Sequence, residues 1–301
     1  MKYLTLDIGA TAIKSALFNS EGQIERSDEC ASNGNRGAQA LLQAAFGIIE
    51  QYRDYDGVGI ACTGQVDART GRIIYANRNV EGFTGTELGS LMEARLKRPV
   101  TVDNDVNAAA LGEGAFGAAR GQRDFICVSY GTGIGGAIVI DGRVYGGQSG
   151  VAGEIGHMIT HPCGRECACG GHGCYEQYAS ATALLRDVRR DFPEIQTGRE
   201  LFAALETQPE LQPLVDRWID EIALGLVTLT HILNPSLFVL CGGVMTQPCV
   251  LDRLVRVYEP QIMPSYRPVQ LRAAELSNLA GAYGAFVRIR EKLTGQGCPT
   301  L

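Results

Sequence analysis

Residues 3–8 form an apolar, β-rich run that stops at Gly9-Ala10-Thr11, and a second apolar run over 13–18 follows at once. Two such runs around a tight polar turn predict a hairpin. Residues 22–29 suit a third strand, 38–52 carry apolar positions at helical spacing, and 57–62 read as a short buried strand ending at Thr63-Gly64-Gln65. The pattern then starts again. Residues 100–102 predict a strand that runs into Asp103-Asn104-Asp105, and an alanine-rich helix follows over 106–115. Strands at 125–130 and 136–140 flank Gly131-Thr132-Gly133-Ile134-Gly135, repeating the strand, Thr/Gly turn, strand order of the N-terminus. Helices are predicted over 176–192, 211–233 and 278–292, a strand over 237–240 ends in Cys241-Gly242-Gly243, and 294–301 reads as a loose tail. Strands alternating with helices predict an α/β protein, and the two copies of the hairpin predict two related lobes.

At 301 residues the chain can bury a core in each of two lobes. Its 45% hydrophobic and 20% charged residues are those of a soluble globular protein, and no apolar run nears the ~18 residues of a membrane span. The opening Met1-Lys2-Tyr3-Leu4-Thr5-Leu6-Asp7 puts an acid where an export signal would continue its apolar core, so the expected location is cytoplasmic, with no membrane partner. A net charge of −6 speaks against nucleic acid as a partner, because phosphate backbones are held by clustered Lys and Arg.

Four of the ten cysteines, Cys163, Cys167, Cys169 and Cys174, fall within twelve positions, a density that suggests metal rather than disulfides. His157, Cys167, Cys169 and Cys174 have nine, one and four residues between them and make a soft tetrahedral set suited to Zn²⁺. Four protein ligands leave no position for water, so such a zinc is structural. Cys163, His161 and His172 are rival ligands by proximity.

The order of motifs carries more than any one of them. Leu6-Asp7-Ile8-Gly9-Ala10-Thr11-Ala12-Ile13-Lys14, Asp103-Asn104-Asp105-Val106-Asn107-Ala108-Ala109, Gly131-Thr132-Gly133-Ile134-Gly135-Gly136, Gly153-Glu154-Ile155-Gly156-His157 and Cys167-Ala168-Cys169-Gly170-Gly171-His172-Gly173-Cys174-Tyr175-Glu176 resemble the ROK family of sugar kinases and repressors, from about residue 3 to about residue 290. Ala10, Asp103, Ala137 and Cys241 depart from the family's usual glycine, glutamate, glycine and glycine.

The resemblance implies a two-lobed, actin-like (ribonuclease-H-like) ATPase fold with ATP and sugar in a cleft, and a homodimer. The expected lobes are 1–116 and 117–301, with the last helix packing back on the N-terminal lobe. It implies that Asp105 is the base that takes the sugar hydroxyl proton, whereas the residues alone allow Asp105 to be merely the N-cap of the following helix. Gly64, Asn79, Asn104, Glu154, His157 and Glu176 are the implied sugar contacts. Asp7 is expected to act through Mg²⁺ and its waters, with Gly9, Thr11, Lys14, Thr132 and Gly133 at the phosphates and Gly242 and Gly243 at the adenosine. The family's spacing selects His157, Cys167, Cys169 and Cys174 as the zinc ligands, and His157 is expected to offer its other ring nitrogen to the sugar. The reaction implied is ATP-dependent phosphorylation of a hexose, at the 6-hydroxyl, with N-acetylmannosamine and β-glucosides as alternatives. A repressor of the same family needs a DNA-binding module of roughly 60–80 residues ahead of the first glycine turn, where this sequence has six residues before Asp7, so an enzyme is the expectation.

Overall fold

The computed structural model describes residues 1–76 and 80–296. The chain runs through β1 (Tyr3–Ile8), β2 (Ala12–Phe18), β3 (Ile24–Ala31), α1 (Ala38–Ile49), β4 (Gly57–Cys62), β5 (Gln65–Asp67), β6 (Arg72–Tyr75), α2 (Leu88–Leu96), β7 (Val100–Asn104) and α3 (Asp105–Phe116). It continues through β8 (Phe125–Tyr130), β9 (Ile134–Ile140), β10 (Arg143–Val144), α4 (Glu176–Ala179), α5 (Ala181–Val188), α6 (Gly198–Ala204), α7 (Gln212–Leu233), β11 (Leu237–Cys241), α8 (Pro248–Tyr258), β12 (Gln270–Ala273) and α9 (Ala280–Thr294).

Two five-stranded sheets share one plan, β3-β2-β1-β4-β7 and β10-β9-β8-β11-β12. In the first, β1 is antiparallel to β2 and parallel to β4, which is parallel to β7. In the second, β11 is parallel to both β8 and β12. The chain forms two compact units, one of residues 1–123, 138–152 and those from 275 onward, the other of 124–137 and 153–274. A single division after 116 thus becomes several crossings: β9 spans one boundary, and α9 returns to pack on α3, β1 and β4 of the first unit.

In the first unit Leu4, Leu6, Ile8, Val58, Ile60, Val100 and Val102 are buried with Leu41, Ala45 and Ile48 of α1. The other side of the sheet lies under α9, where small residues allow unusually close packing. A side chain at Gly284 would run into the main-chain carbonyl of Ala108 on α3, and one at Gly112 into that of Ala280. Backbone cannot swing aside as a flexible side chain can, so overpacking here costs about 1–3 kcal/mol or more. Gly284→Val is expected to lower the melting temperature by several degrees in thermal denaturation; an unchanged transition would mean that the two helices have room to part.

The core of the second unit is built by α7, whose Val215, Ile219, Ile222 and Leu226 meet Ile126, Val128, Phe238 and Leu240 of the sheet. The helix expected over 176–192 is two helices. Ser180 is extended at ψ 160 and its hydroxyl accepts from Ala183 N, capping α5, while the Trp218 indole donates to the Ala179 and Ser180 carbonyls at 2.9 and 3.1 Å. The apolar pattern continues across that break, which is why it read as one element. Helix α6 carries a capping box, Thr197 with Glu200, and α8 starts at Pro248; neither was expected from the sequence. Of the loose tail, 297–301 lies outside the described residues.

Candidate active site

In the first unit the parallel register puts Asp7 beside Ala61 and Ala61 beside Asp103, so the C-terminal ends of β1, β4 and β7 line up. That edge is where open α/β sheets bind ligands. Strand β7 passes directly into α3, and Asn104 is the N-cap: its side-chain oxygen accepts from Val106 N at 2.9 Å and Asn107 N at 3.1 Å. Asp105 is therefore relieved of the capping role and occupies the first helical position, partly exposed. Its Oδ1 accepts from Val106 N at 2.9 Å and from Asn104 Nδ2 at 2.8 Å. Burial, reinforced by the nearby Asp7 charge, raises the Asp105 carboxyl from 3.8 to about 6, against the pull of those two donors. Burial also raises Asp7, with Lys14 opposing it from the paired position on β2.

Asp103 anchors the strand end. It is 2% exposed, takes a two-pronged ion pair from Arg288 of α9 with Nε and a terminal nitrogen both at 2.8 Å, and accepts from Asn104 N and the Asn107 side chain. Asn107 accordingly stiffens the helix start.

The first turn keeps an ordinary backbone at Ala10, which is not among the residues of positive φ, so alanine fits where a glycine is usual. Gly9 N donates to Ala12 O at 3.0 Å. The buried Ser32 holds the turn from behind, its hydroxyl donating to Ala10 O at 2.6 Å and its N–H to Thr11 O at 3.0 Å. Sequence reading missed Ser32; the following Asn33-Gly34 marks a turn, but nothing local ties it to residue 10. Asn79 lies outside the described residues.

In the second unit the turns between 153 and 176 gather His157, Cys167, Cys169 and Cys174, whose ligand atoms all lie within 4.8 Å of one another. His157 Nδ1 is 3.7 Å from Cys167 Sγ, and Cys169 Sγ is 3.6 Å from Cys174 Sγ. Edges of a tetrahedron with Zn–S and Zn–N arms measure about 3.6–3.8 Å, so these donors could hold a tetrahedral metal ion after slight contraction. Of the rivals, His161 stacks on Tyr178 at 3.8 Å and pairs with Glu221 at 3.3 Å, His172 faces Glu166 at 3.8 Å, and Cys163 is not among the residues gathered here. Arg165 ties the loop to the rest of the unit, its guanidinium pairing with both oxygens of Asp187 at 3.1 and 3.0 Å and its backbone N–H donating to the Tyr178 hydroxyl at 2.7 Å.

With Nδ1 turned to the thiols, His157 Nε2 lies 4.0 Å from Glu154 on the outer side. Glu176 starts α4 and spans two neighbours, receiving the Cys167 thiol at 3.1 Å on Oε1 and Ile134 N at 3.4 Å on Oε2. Any side chain at Gly133 would collide with Oε2, so the glycine of the Thr132-Gly133 turn makes room for Glu176, while Thr132 itself is exposed. At the same C-terminal edge of the second sheet, where Cys241 pairs with Ser129, Gly242 follows β11 at φ 116 against the Tyr130 carbonyl, Gly243 is exposed, and Cys241 Sγ is 3.3 Å from Cys127 Sγ.

The ROK family model matches residues 3–292. The chain belongs to the ROK family. It is 33% identical over 313 residues to a glucokinase of Streptomyces coelicolor, covering 95% of this chain and 96% of that one. A xylose repressor of Bacillus spizizenii is 28% identical over 299 residues, covering 93% of this chain and 74% of the repressor. Among solved structures, a ROK glucokinase from Streptomyces griseus in complex with glucose and AMPPNP superposes with a TM-score of 0.83 at 31% identity, covering 95% and 98% of the two chains. The fold is accordingly the α/β, actin-like ATPase fold of the ROK sugar kinases. Within this ROK chain Asp7, Gly64, Asn104 and Asp105 are brought together in one unit, and Glu154, His157, Glu176 and the three cysteines in the other. No helix among the described residues is long and apolar enough to cross a membrane.

Proposed function

We propose that this ROK protein is an ATP-dependent sugar kinase that phosphorylates the 6-hydroxyl of a hexose, glucose first, with Asp105 as the base. The reading is carried by one observation: a partly exposed carboxylate, freed from capping by Asn104, sits at the ligand edge of three aligned parallel strands. Asp105 accepts the hydroxyl proton as that oxygen bonds to the γ-phosphorus and ADP departs. In a loose phosphoryl-transfer transition state the proton leaves late, so a held carboxylate of moderate basicity suffices. Glu154, His157 Nε2 and Glu176 accept and donate to sugar hydroxyls, and the family resemblance adds Gly64 and Asn79 as further sugar contacts. Gly9, Thr11, Lys14, Thr132 and Gly133 face the phosphates, Gly242 and Gly243 the adenosine, and Asp7 would hold Mg²⁺ through water. His157, Cys167, Cys169 and Cys174 would hold Zn²⁺, whose filled shell supplies structure and not Lewis acidity. A cytoplasmic homodimer without nucleic-acid partners completes the proposal.

The test is ADP release across glucose, other hexoses, N-acetylmannosamine, N-acetylglucosamine and β-glucosides. The expectation is turnover with glucose or another hexose best, N-acetylmannosamine second and a β-glucoside third; Thr63-Gly64-Gln65-Val66-Asp67 lacks the proline-glycine of many glucokinases, which points to a different substituent near C1 or C2. Sugar binding without ADP release from any of them would point to a sugar-responsive regulator instead. The pH profile adds a check. Because the base must be ionised, kcat/KM should fall as pH drops through about 6, with the group named by loss of that limb in Asp105→Asn.

A further inference from the structure

Two thiols outside the candidate sugar and metal groups meet across the second sheet. Strand β8 pairs with β11 so that Cys127 lies opposite Val239 and Cys241 opposite Ser129. Side chains alternate between faces along a strand, so Cys127 and Cys241 share one face, opposite to that on which Ile126, Val128, Phe238 and Leu240 meet α7. Their Sγ atoms are 3.3 Å apart. Cys127 is buried, whereas Cys241 is partly exposed at the last position of β11. Both strands lead straight into glycine turns, β8 into Gly131-Thr132-Gly133 and β11 into Gly242-Gly243, and Gly242 packs against the Tyr130 carbonyl at the end of β8.

We propose that Cys127 and Cys241 form a peroxide-sensitive dithiol whose disulfide weakens nucleotide binding. The oxidant is of the hydroperoxide class, hydrogen peroxide being the simplest. The thiolate of Cys241, the sulfur nearer solvent, attacks one peroxide oxygen; the O–O bond breaks, the departing hydroxide takes up the thiol proton as water, and Cys241 becomes a sulfenic acid. The Cys127 sulfur then attacks the Cys241 sulfur, the S–O bond breaks, and the second hydroxide leaves with the Cys127 proton as water. Two thiols lose two electrons, and one peroxide becomes two waters. Closing the gap from 3.3 Å to the ~2.05 Å of a sulfur–sulfur bond moves more than the side chains. Residues two positions out of register on neighbouring strands have Cα atoms about 7–8 Å apart, at the upper limit of what a disulfide spans. The bond therefore draws the end of β11 back along β8, and the Gly242-Gly243 turn moves with it relative to Thr132-Gly133. The consequence for ATP rests on the nucleotide reading of these turns, while the dithiol itself does not.

The test treats the full chain with hydrogen peroxide and takes two readings, disulfide mapping of tryptic peptides by mass spectrometry and the Kd for ATP by calorimetry, each repeated after dithiothreitol. The expected result is a link between the peptides of residues 124–143 and 218–253, with fragment ions placing it on Cys241 and not on Cys249. The ATP Kd should rise about tenfold, since displacements near 1 Å in a binding turn are costly, and should recover with the reductant. Cys127→Ala and Cys241→Ser should each lack the link and hold their ATP affinity under peroxide. Wild type that forms no link, or a link that leaves the Kd unmoved, would overturn the proposal. So would a variant that loses affinity as wild type does, because the effect would then belong to other thiols, the 167–174 group foremost. Wild type that forms the link but binds no ATP even when reduced would leave the dithiol standing and sink the nucleotide reading.

Discussion

Asp105→Asn is expected to abolish most turnover while making the protein more stable. An amide cannot accept the hydroxyl proton, and loss of a positioned general base costs about 10²–10⁴-fold in kcat. Sugar binding should survive, because Asn retains an oxygen that accepts from Val106 N and Asn104 Nδ2. Stability moves the other way. The folded protein raises the Asp105 carboxyl from 3.8 to about 6, so between those pH values the native state binds more protons than the unfolded chain and stability falls as pH rises. Above pH 6 the cost is complete, at about 3 kcal/mol for a shift of this size. The variant should therefore melt higher than wild type at pH 8 and nearly equal to it near pH 4. Comparable turnover in the two proteins would remove Asp105 from the role; a variant less stable at pH 8 would show that its carboxylate is held favourably.

Chelation is expected to have the second large effect. His157, Cys167, Cys169 and Cys174 come from a segment with little regular structure, so their binding free energy for Zn²⁺ is also folding free energy for that segment. The Arg165–Asp187 pair and the stacking of His161 on Tyr178 hold the segment independently, so the loss is local rather than global. A loss of a few kcal/mol, at about 2–4 °C per kcal/mol, lowers the melting temperature by on the order of 10 °C. Purified protein should contain one zinc, and its removal should speed hydrogen exchange over 157–176. The sugar KM should rise in parallel, because Glu154, His157 and Glu176 are borne on the same segment. Zinc-free, folded protein with unchanged exchange and unchanged KM would sink the link between metal and sugar.

Both predictions use residues that the sequence already displayed. The hairpin at 3–18 was legible because a six-residue apolar run, a short polar turn and a second run admit few other solutions. The candidate metal set was legible because thiols with one and four residues between them near a histidine have few other uses. Element ends were less so: α1 stops at Ile49 and α9 begins at Ala280, since local pattern does not say where a cap forms. Helix α6 escaped notice although its capping box, Thr197 and Glu200, is written plainly, because only seven residues follow it.

Sequence alone determined the family, the order of strand and turn, and which residue types stand at 105 and in the His157, Cys167, Cys169 and Cys174 cluster, since each is a matter of residue type at short spacing. Tertiary structure decided which of those groups are free to act. Ser32 supports Ala10 across 22 positions, Asn104 reaches Gly64 across 40, and Arg288 meets Asp103 across 185. Such partnerships leave no periodic trace, because a hydrogen bond depends on separation in space while the chain records only separation along its length.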